Sequence, residues 1–176
     1  GGNAIRACAM LPAATGNFGK PGAGLLYLNF DGAMWGLDGA YVPAPHLRRG
    51  EARSFSHMDL AERLESPSGI QAFICWNINP AASNPEQRRL RDALRREDLF
   101  TVVADLFQTD TADYADIVLP AASFLEFDDL VAAYMHLTIA PQVRAAAPLG
   151  EALPNQEIFR RLSEAMRFEE PELYVD

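Results

Sequence analysis

The 176-residue chain is 49% apolar and 22% charged, with a net charge of −9. That balance fits one globular domain with its own core and excludes a disordered chain. It also argues against a nucleic-acid-binding surface, which needs a basic face, and no apolar run approaches the ~20 residues that cross a bilayer.

The opening, GGNAIRACAML, lacks a basic segment followed by a long apolar one, so no signal peptide is expected. Residues 3–16 are expected to form a helix, with Ile5, Ala9 and Ala13 at helical spacing, Asn3 as cap and Gly16 or Gly19 as terminator. Pro12 should kink it. Residues 17–50 are rich in Gly, Pro and Asn and read as a long irregular stretch, one that could wrap against parts of a larger protein. SHMDLAERLES (56–66) reads as a short amphipathic helix, stopped by Ser66, Pro67, Ser68 and Gly69.

The strongest pattern follows. IQAFICW (70–76) is a candidate buried strand, and NINPAASNP (77–85) a loop. Asn84 is expected to cap a helix with Pro85 at its first position. FTVVADLF (100–107) is a second strand, TDTADYAD a helical turn, and DIVLP (116–120) a third strand. Alternation of this kind implies an α/β fold: a Rossmann-like parallel sheet flanked by helices, joined by right-handed crossovers. Residues 131–139 read as a strand or an extended excursion. PNQEIFRRLSEAM (154–166) reads as a helix with Asn155 as cap and Ile158, Leu162 and Met166 on one face. The chain is expected to be a single domain over 1–176, with its core in 70–125 and 154–167.

Open parallel sheets bind ligands beyond the carboxyl ends of their strands. Here those ends carry Asn77 and Asn79, then Asp105 and Thr109, then Pro120 and Ser123. A carboxylate at a strand end suits ribose hydroxyls or a purine edge, because it accepts two hydrogen bonds side by side; it can equally tighten a turn. The first crossover holds no GxGxxG or Walker sequence, which argues against an ordinary NAD or ATP site. Asp110, Asp113 and Asp116 are spaced by three, but a helix start, a solvated acid and a strand opening account for them better than a metal site. His46, His57 and His136 lie in separate segments. The arginines at 88, 89, 91, 95 and 96 read as a solvated helix face or a contact with a neighbouring domain. Cys8 and Cys75 form no CxxC, so no iron–sulfur or zinc ligand set can be built from them. Without GxSxG or a nearby His and Asp, Ser123 does not support hydrolase chemistry.

FICWNINPAASNP followed by LFTVVADLFQTDTADYADIVLPAASFLE resembles the molybdopterin oxidoreductases, the superfamily of dimethyl sulfoxide reductase, formate dehydrogenase and nitrate reductase. The matching series is Asp105, Thr109, Thr111, Ala112, Ala115, Asp116, Leu119, Pro120 and Glu126. Upstream, TGNFGKPG resembles a turn of that family, and downstream LPNQEIFRRLSEAM resembles one of its helices. The resemblance implies a central domain of a larger multidomain enzyme, holding the guanosine end of a molybdopterin guanine dinucleotide. By position it assigns Asn77 or Asn79, Ala104, Asp105, Thr109 and Asn155 to that cofactor. It implies molybdenum or tungsten in the parent protein. An iron–sulfur cluster would also belong to the parent and not to these residues. The partners it implies are other domains of the same chain and an electron-transfer subunit, with no nucleic acid and no membrane segment. Phe127 stands where some members carry Lys, and Asn155 where several carry Asp. Those departures keep a second reading open, a non-catalytic α/β interaction module that has lost the cofactor. Retention of Asn79, Asp105 and Thr109 argues against it.

Overall fold

The computed structural model describes residues 2–25, 44–48, 50–132 and 138–174. His136 and most of the expected 131–139 excursion lie outside them, as does much of 17–50. Two compact units are distinguished, Gly1–Val42 with Leu130–Ala140, and Pro43–Asp129 with Pro141–Asp176.

In the first unit, helix α1 spans Gly2–Ala14 and contains Pro12 in its last turns. Gly16, at φ +64°, then reverses the backbone. The Asn17 N–H donates to Pro12 O at 2.7 Å and the Gly16 N–H to Ala13 O at 3.1 Å, which closes the helix with a Schellman pair. Of the two expected terminators, Gly16 is the one used. Strands β4 (Asp129–Ala132) and β5 (Ile139–Gln142) pair as a separate two-stranded sheet.

The second unit is built on α2 (Leu60–Glu65), β1 (Ala72–Trp76), α3 (Pro80–Ser83), α4 (Gln87–Leu94), β2 (Phe100–Asp105), β3 (Ile117–Pro120) and α5 (Asn155–Ala165). The three strands lie in the order β1-β2-β3, all parallel, with Trp76 opposite Ala104 and Asp105 opposite Pro120. This is the expected parallel sheet flanked by helices. β-Branched and aromatic residues make its strands, and a residue unsuited to a ladder ends the third. Pro120 has no N–H to give, and its carbonyl instead accepts from Leu153 N at 3.1 Å. Ala122 N returns a bond to Leu153 O at 2.8 Å, so Leu153 adds a one-residue parallel bridge beyond β3.

Strand alternation sorts the side chains. Phe73, Cys75 and Val103 point toward the crossover helices, where Leu64, Leu90, Ala93, Leu94 and Leu99 form the core with Ala61 and Ala81. Ile74, Trp76 and Phe100 point the other way and stay about half exposed. The arginine run is not a free solvated face. Arg89 holds Glu65 through both carboxylate oxygens at 2.8 and 2.6 Å, and Arg91 donates to Ala81 O at 2.9 Å. Arg96 donates to Leu64 O. These contacts tie α4 to α2 and α3. Two caps differ from expectation. Asn84 is buried and spends its amide on His57 O at 2.7 Å, while α4 starts later, at Gln87, behind Glu86 at φ +55°. Asn155 is the first residue of α5 and not its cap, because the Pro154 carbonyl already accepts from Glu157 N and Ile158 N.

The Thr101 hydroxyl is fully buried in β2 without a partner among the described residues, whereas Leu90 is fully buried and packed. The two sites should respond with opposite sign. Leu90→Ala should cost about 2–5 kcal/mol of stability through a cavity. Thr101→Val keeps the shape and removes an orphaned polar group, so it should be neutral or stabilising by up to about 1 kcal/mol. Urea denaturation of the two variants checks both signs, and a clear loss for Thr101→Val would mean that the hydroxyl has a partner.

Candidate functional site

The three strand ends converge on one edge of the second unit. Asn77 follows β1 with φ +54°, a left-handed conformation that asparagine tolerates better than most residues. Its N–H donates to Ala104 O at 3.1 Å, which extends the β1–β2 ladder by one step. Asp105 ends β2. One of its carboxylate oxygens accepts from Phe107 N at 3.2 Å, turning the chain away from the sheet. Its backbone carbonyl accepts from Ala121 N at 3.1 Å, which joins the end of β3.

Asn79 and Thr111 lock the loops behind these ends. The Thr111 hydroxyl donates to Asn79 Oδ1 at 2.8 Å and accepts from Ala81 N at 3.0 Å. The Thr111 N–H also donates to Asn79 Oδ1 at 3.2 Å, and Asn79 Nδ2 donates to Asp110 Oδ2 at 3.2 Å. Thr109 Oγ1 accepts from Ala112 N at 3.3 Å and starts the turn Ala112–Tyr114.

The predicted residues are therefore brought to one edge in unequal states. Asn77 is exposed, and Asp105 is half-buried with one carboxylate oxygen accepting from Phe107 N. Asn79 has both side-chain atoms committed within the loop. Ala104 is buried, with its carbonyl taken by Asn77. Thr109 helps to shape the turn and retains a hydroxyl proton. Asn155 follows the Leu153 bridge at the β3 end, and its Oδ1 is buried without a partner among the described residues. Thr111 was not singled out from sequence as a site residue, although it holds the ledge together. Its place in the Thr-x-Thr-Ala run was the available signal, but the partner lies 32 residues away.

Asp110 accepts from Asn79, Asp113 from Gln108 and Asp116 from Thr101 N at 2.7 Å, so each of the three evenly spaced acids serves a separate hydrogen bond. Among the described residues no group of three His, Cys, Asp or Glu could hold a metal ion. No helix among them is long and apolar enough to cross a membrane. Two hollows lie near the sheet. One of about 260 Å3 lies beside β1 against His57 and Asn84. The other, about 670 Å3, runs over the face bearing Ile74, Trp76 and Phe100. Both are mainly apolar, and neither is lined by Asn79 or Asp105. The polar ledge is a separate feature.

A profile of the molybdopterin oxidoreductases matches residues 1–165. The chain belongs to that family. It is 41% identical over 98% of its length to "Probable oxidoreductase YoaE" of Bacillus subtilis, and 32% identical over 94% of its length to "F420-dependent formate dehydrogenase 1 subunit alpha" of Methanococcus maripaludis. It spans 25% and 27% of those two proteins. Among solved structures, acetylene hydratase from Pelobacter acetylenicus aligns over 63% of this chain and 16% of its own, with a TM-score of 0.55 and 24% identity, a likeness of fold. Membership in the molybdopterin oxidoreductase family brings a molybdenum- or tungsten-pterin cofactor into consideration. The strand ends offer a carboxylate, an exposed amide and a hydroxyl, a hydrogen-bonding set and not a metal-ligand set.

Cys75 lies behind the ledge, its thiol donating to Ile78 O at 3.1 Å. Burial first, and then the negative charge of Asp105, push this thiol from an ordinary 9.0 up to about 11. The folded chain thus keeps a proton that the unfolded chain loses earlier. The contribution to stability is full below pH 9.0 and falls as pH rises toward about 11. Alkylation followed by mass spectrometry should find Cys75 protected at pH 9 while exposed Cys8 reacts, and Asp105→Asn should move the onset for Cys75 downward. Equal reaction of the two cysteines at pH 9 would contradict the burial of Cys75.

The Asn79–Thr111 bond gives a second expectation. Asn79→Ala and Thr111→Val should each destabilise by about 1–3 kcal/mol, since each strands a buried partner. Together they should cost less than the sum, with a coupling of at least about 0.5 kcal/mol. Strict additivity in a double-mutant cycle would separate the two residues.

Proposed function

We propose that the chain grips the guanosine end of a molybdopterin guanine dinucleotide within a molybdenum or tungsten oxidoreductase. The observation that carries this reading is Asp105. It stands at the carboxyl end of the central strand, its backbone fixed by Ala121 and one carboxylate oxygen engaged by the Phe107 N–H. The outward part of the carboxylate can accept from ribose hydroxyls or from the N–H groups of guanine, and charge-assisted bonds of that kind are about twice as strong as neutral ones. Asn77 adds an amide donor and acceptor beside it, and Thr109 a hydroxyl. Asn79 acts by holding the ledge in place. The orphaned Oδ1 of Asn155 is an acceptor that guanine N–H donors would satisfy once the amide turns outward, which favours this reading over an interaction module without cofactor.

When bound, the cofactor supplies two-electron redox chemistry at its metal. The part of this chain is to bind and orient the nucleoside. The ligand to the metal and any iron–sulfur cluster belong to other parts of a longer protein. On this reading residues 1–176 form one cofactor-binding domain, whose irregular stretches 17–50 and 131–150 pack on neighbouring domains. One relative is named an alpha subunit, so a companion subunit that exchanges electrons is part of the proposal.

Asp105→Ala in the full-length protein should lower retention of metal and of GMP released by acid hydrolysis by about tenfold or more, the loss of one or two charged hydrogen bonds. Circular dichroism should be unchanged. Wild-type metal and GMP contents in that variant would remove Asp105 from the site.

A further inference from the structure

The loop after β3 is bound to the segment that leads into α5, and the bonds run in order along both. The Gln142 side chain donates to Phe124 O, and Arg144 N donates to Asp128 Oδ1 at 2.6 Å. Ala145 N and Ala146 N both donate to Leu125 O, at 2.8 and 2.9 Å. Leu149 N donates to Glu126 Oε1 at 2.8 Å. Leu153 closes the series with its parallel bridge to Ala121. In a parallel bridge the two chains run the same way, so the residues after Leu153 continue past the carboxyl edge of the sheet. Pro154 and Asn155 are the next two, and the buried Asn155 Oδ1 has no partner among the described residues.

The span from Ala147 to Glu151 is the long gap in this series. Among the described residues, the Leu149 N–H makes its one hydrogen bond to the β3 loop. Packing holds it little, since the Leu149 side chain is 82% exposed and Gly150 turns the backbone at φ +61°. Glu126 is itself well anchored for this task. Its other oxygen, Oε2, accepts from Ser123 N at 2.7 Å, and its own N–H donates to Ser123 O at 2.9 Å, so the carboxylate is set on its loop before it reaches Leu149. Each oxygen thus takes a backbone N–H, and charge-assisted bonds of that kind are about twice as strong as neutral ones. The Leu149 carbonyl accepts from Ala152 N at 3.1 Å, one residue before the bridge, so a single turn joins the Glu126 contact to Leu153. We infer that Glu126 is the positioning residue for Asn155: it fastens the approach to α5 at Leu149 and thereby sets where the Asn155 amide stands beyond β3. The inference rests on Asn155 serving the nucleoside, as proposed above; Glu126 acts on it only through the backbone.

The test uses the full-length protein as wild type, Glu126→Gln, Asn155→Ala and the double variant. Glutamine keeps the length of the side chain but must turn its NH2 group toward one of the two N–H donors, so one bond is lost. Amide hydrogen exchange is read by peptide mass over 147–156, with α4 as the reference, and GMP released by acid hydrolysis is measured after a mild urea wash. Glu126→Gln should speed exchange over 147–156 about tenfold, the loss of one charged hydrogen bond, with α4 unchanged. It should also lower retained GMP by about threefold or more. The double variant should retain no less GMP than Asn155→Ala, because Glu126 acts through that amide. Unchanged exchange over 147–156 overturns the inference. So does exchange that rises equally in α4, which makes Glu126 a support of the whole unit. A double variant that loses GMP by the product of the two single losses also overturns it, since the two residues then act separately, as does wild-type GMP retention in Asn155→Ala. Absence of GMP from the wild type, with the local exchange effect intact, would sustain the fastening of 147–156 and count against the nucleotide reading alone.

Discussion

The Thr111 hydroxyl is the hinge pin of the second unit. It donates to Asn79 Oδ1 and accepts from Ala81 N, and it is wholly buried. A hydroxyl has one proton to give, and both bonds here are used without conflict. The loop after β1 and the loop after β2 are thus held as one object. The start of α3, the turn Ala112–Tyr114 and the direction in which the chain leaves Asn77 all depend on this contact. An apolar residue at either position would leave backbone N–H groups without acceptors inside the protein, a cost comparable to a large part of a domain's stability.

Around that pin, polar and apolar surfaces are separated. The carboxyl edge of the sheet gathers Asn77, Asp105 and Thr109, while the face bearing Ile74, Trp76 and Phe100 carries aromatic and aliphatic side chains. The separation follows from the ladder. Alternation sends every second residue of a strand to one face, and only at the strand end can a side chain project past the sheet. Asp105 marks the border. Its backbone belongs to the ladder through Ala121, its carboxylate belongs to the ledge, and its charge is felt by the buried Cys75 thiol behind.

The three strands were readable from sequence because AFICW, FTVVAD and IVLP are apolar runs bounded by polar or breaking residues. Their parallel pairing was readable from the intervening helical patterns. The ends of helices were not. Asn84 has the composition of a cap, but its burial under α2 gave the amide a better acceptor in His57 O, and α4 starts beyond it. Asn155 falls one residue inside the helix, whose first bonds end on the Pro154 carbonyl, and the helix has no side-chain cap. At Asn84 a tertiary contact outbid a local preference of about 1 kcal/mol. For the ledge, composition disclosed which polar residues stand at the strand ends. It did not separate Asn79, which is consumed inside the loop, from Asn77 and Asp105, which are not. That distinction is made by Thr111, and no local pattern announces a partner so far along the chain.

Electrostatics narrows which part of a dinucleotide such a unit can hold. The basic residues near the sheet are largely spoken for. Arg89 ends on Glu65 and Glu86, Arg95 on Asp92, Arg96 on Asp98, and Arg160 and Arg161 on Glu157. Arg91 is turned to Ala81 O and stands 3.9 Å from Asp110. With a net charge of −9, the chain offers a diphosphate little attraction. A carboxylate on the ledge would repel phosphate oxygens at short range, while it attracts the N–H and O–H donors of a nucleoside. Under the proposed reading, the acid that would accept from guanosine would also repel the diphosphate, which would then need cationic groups from outside this unit.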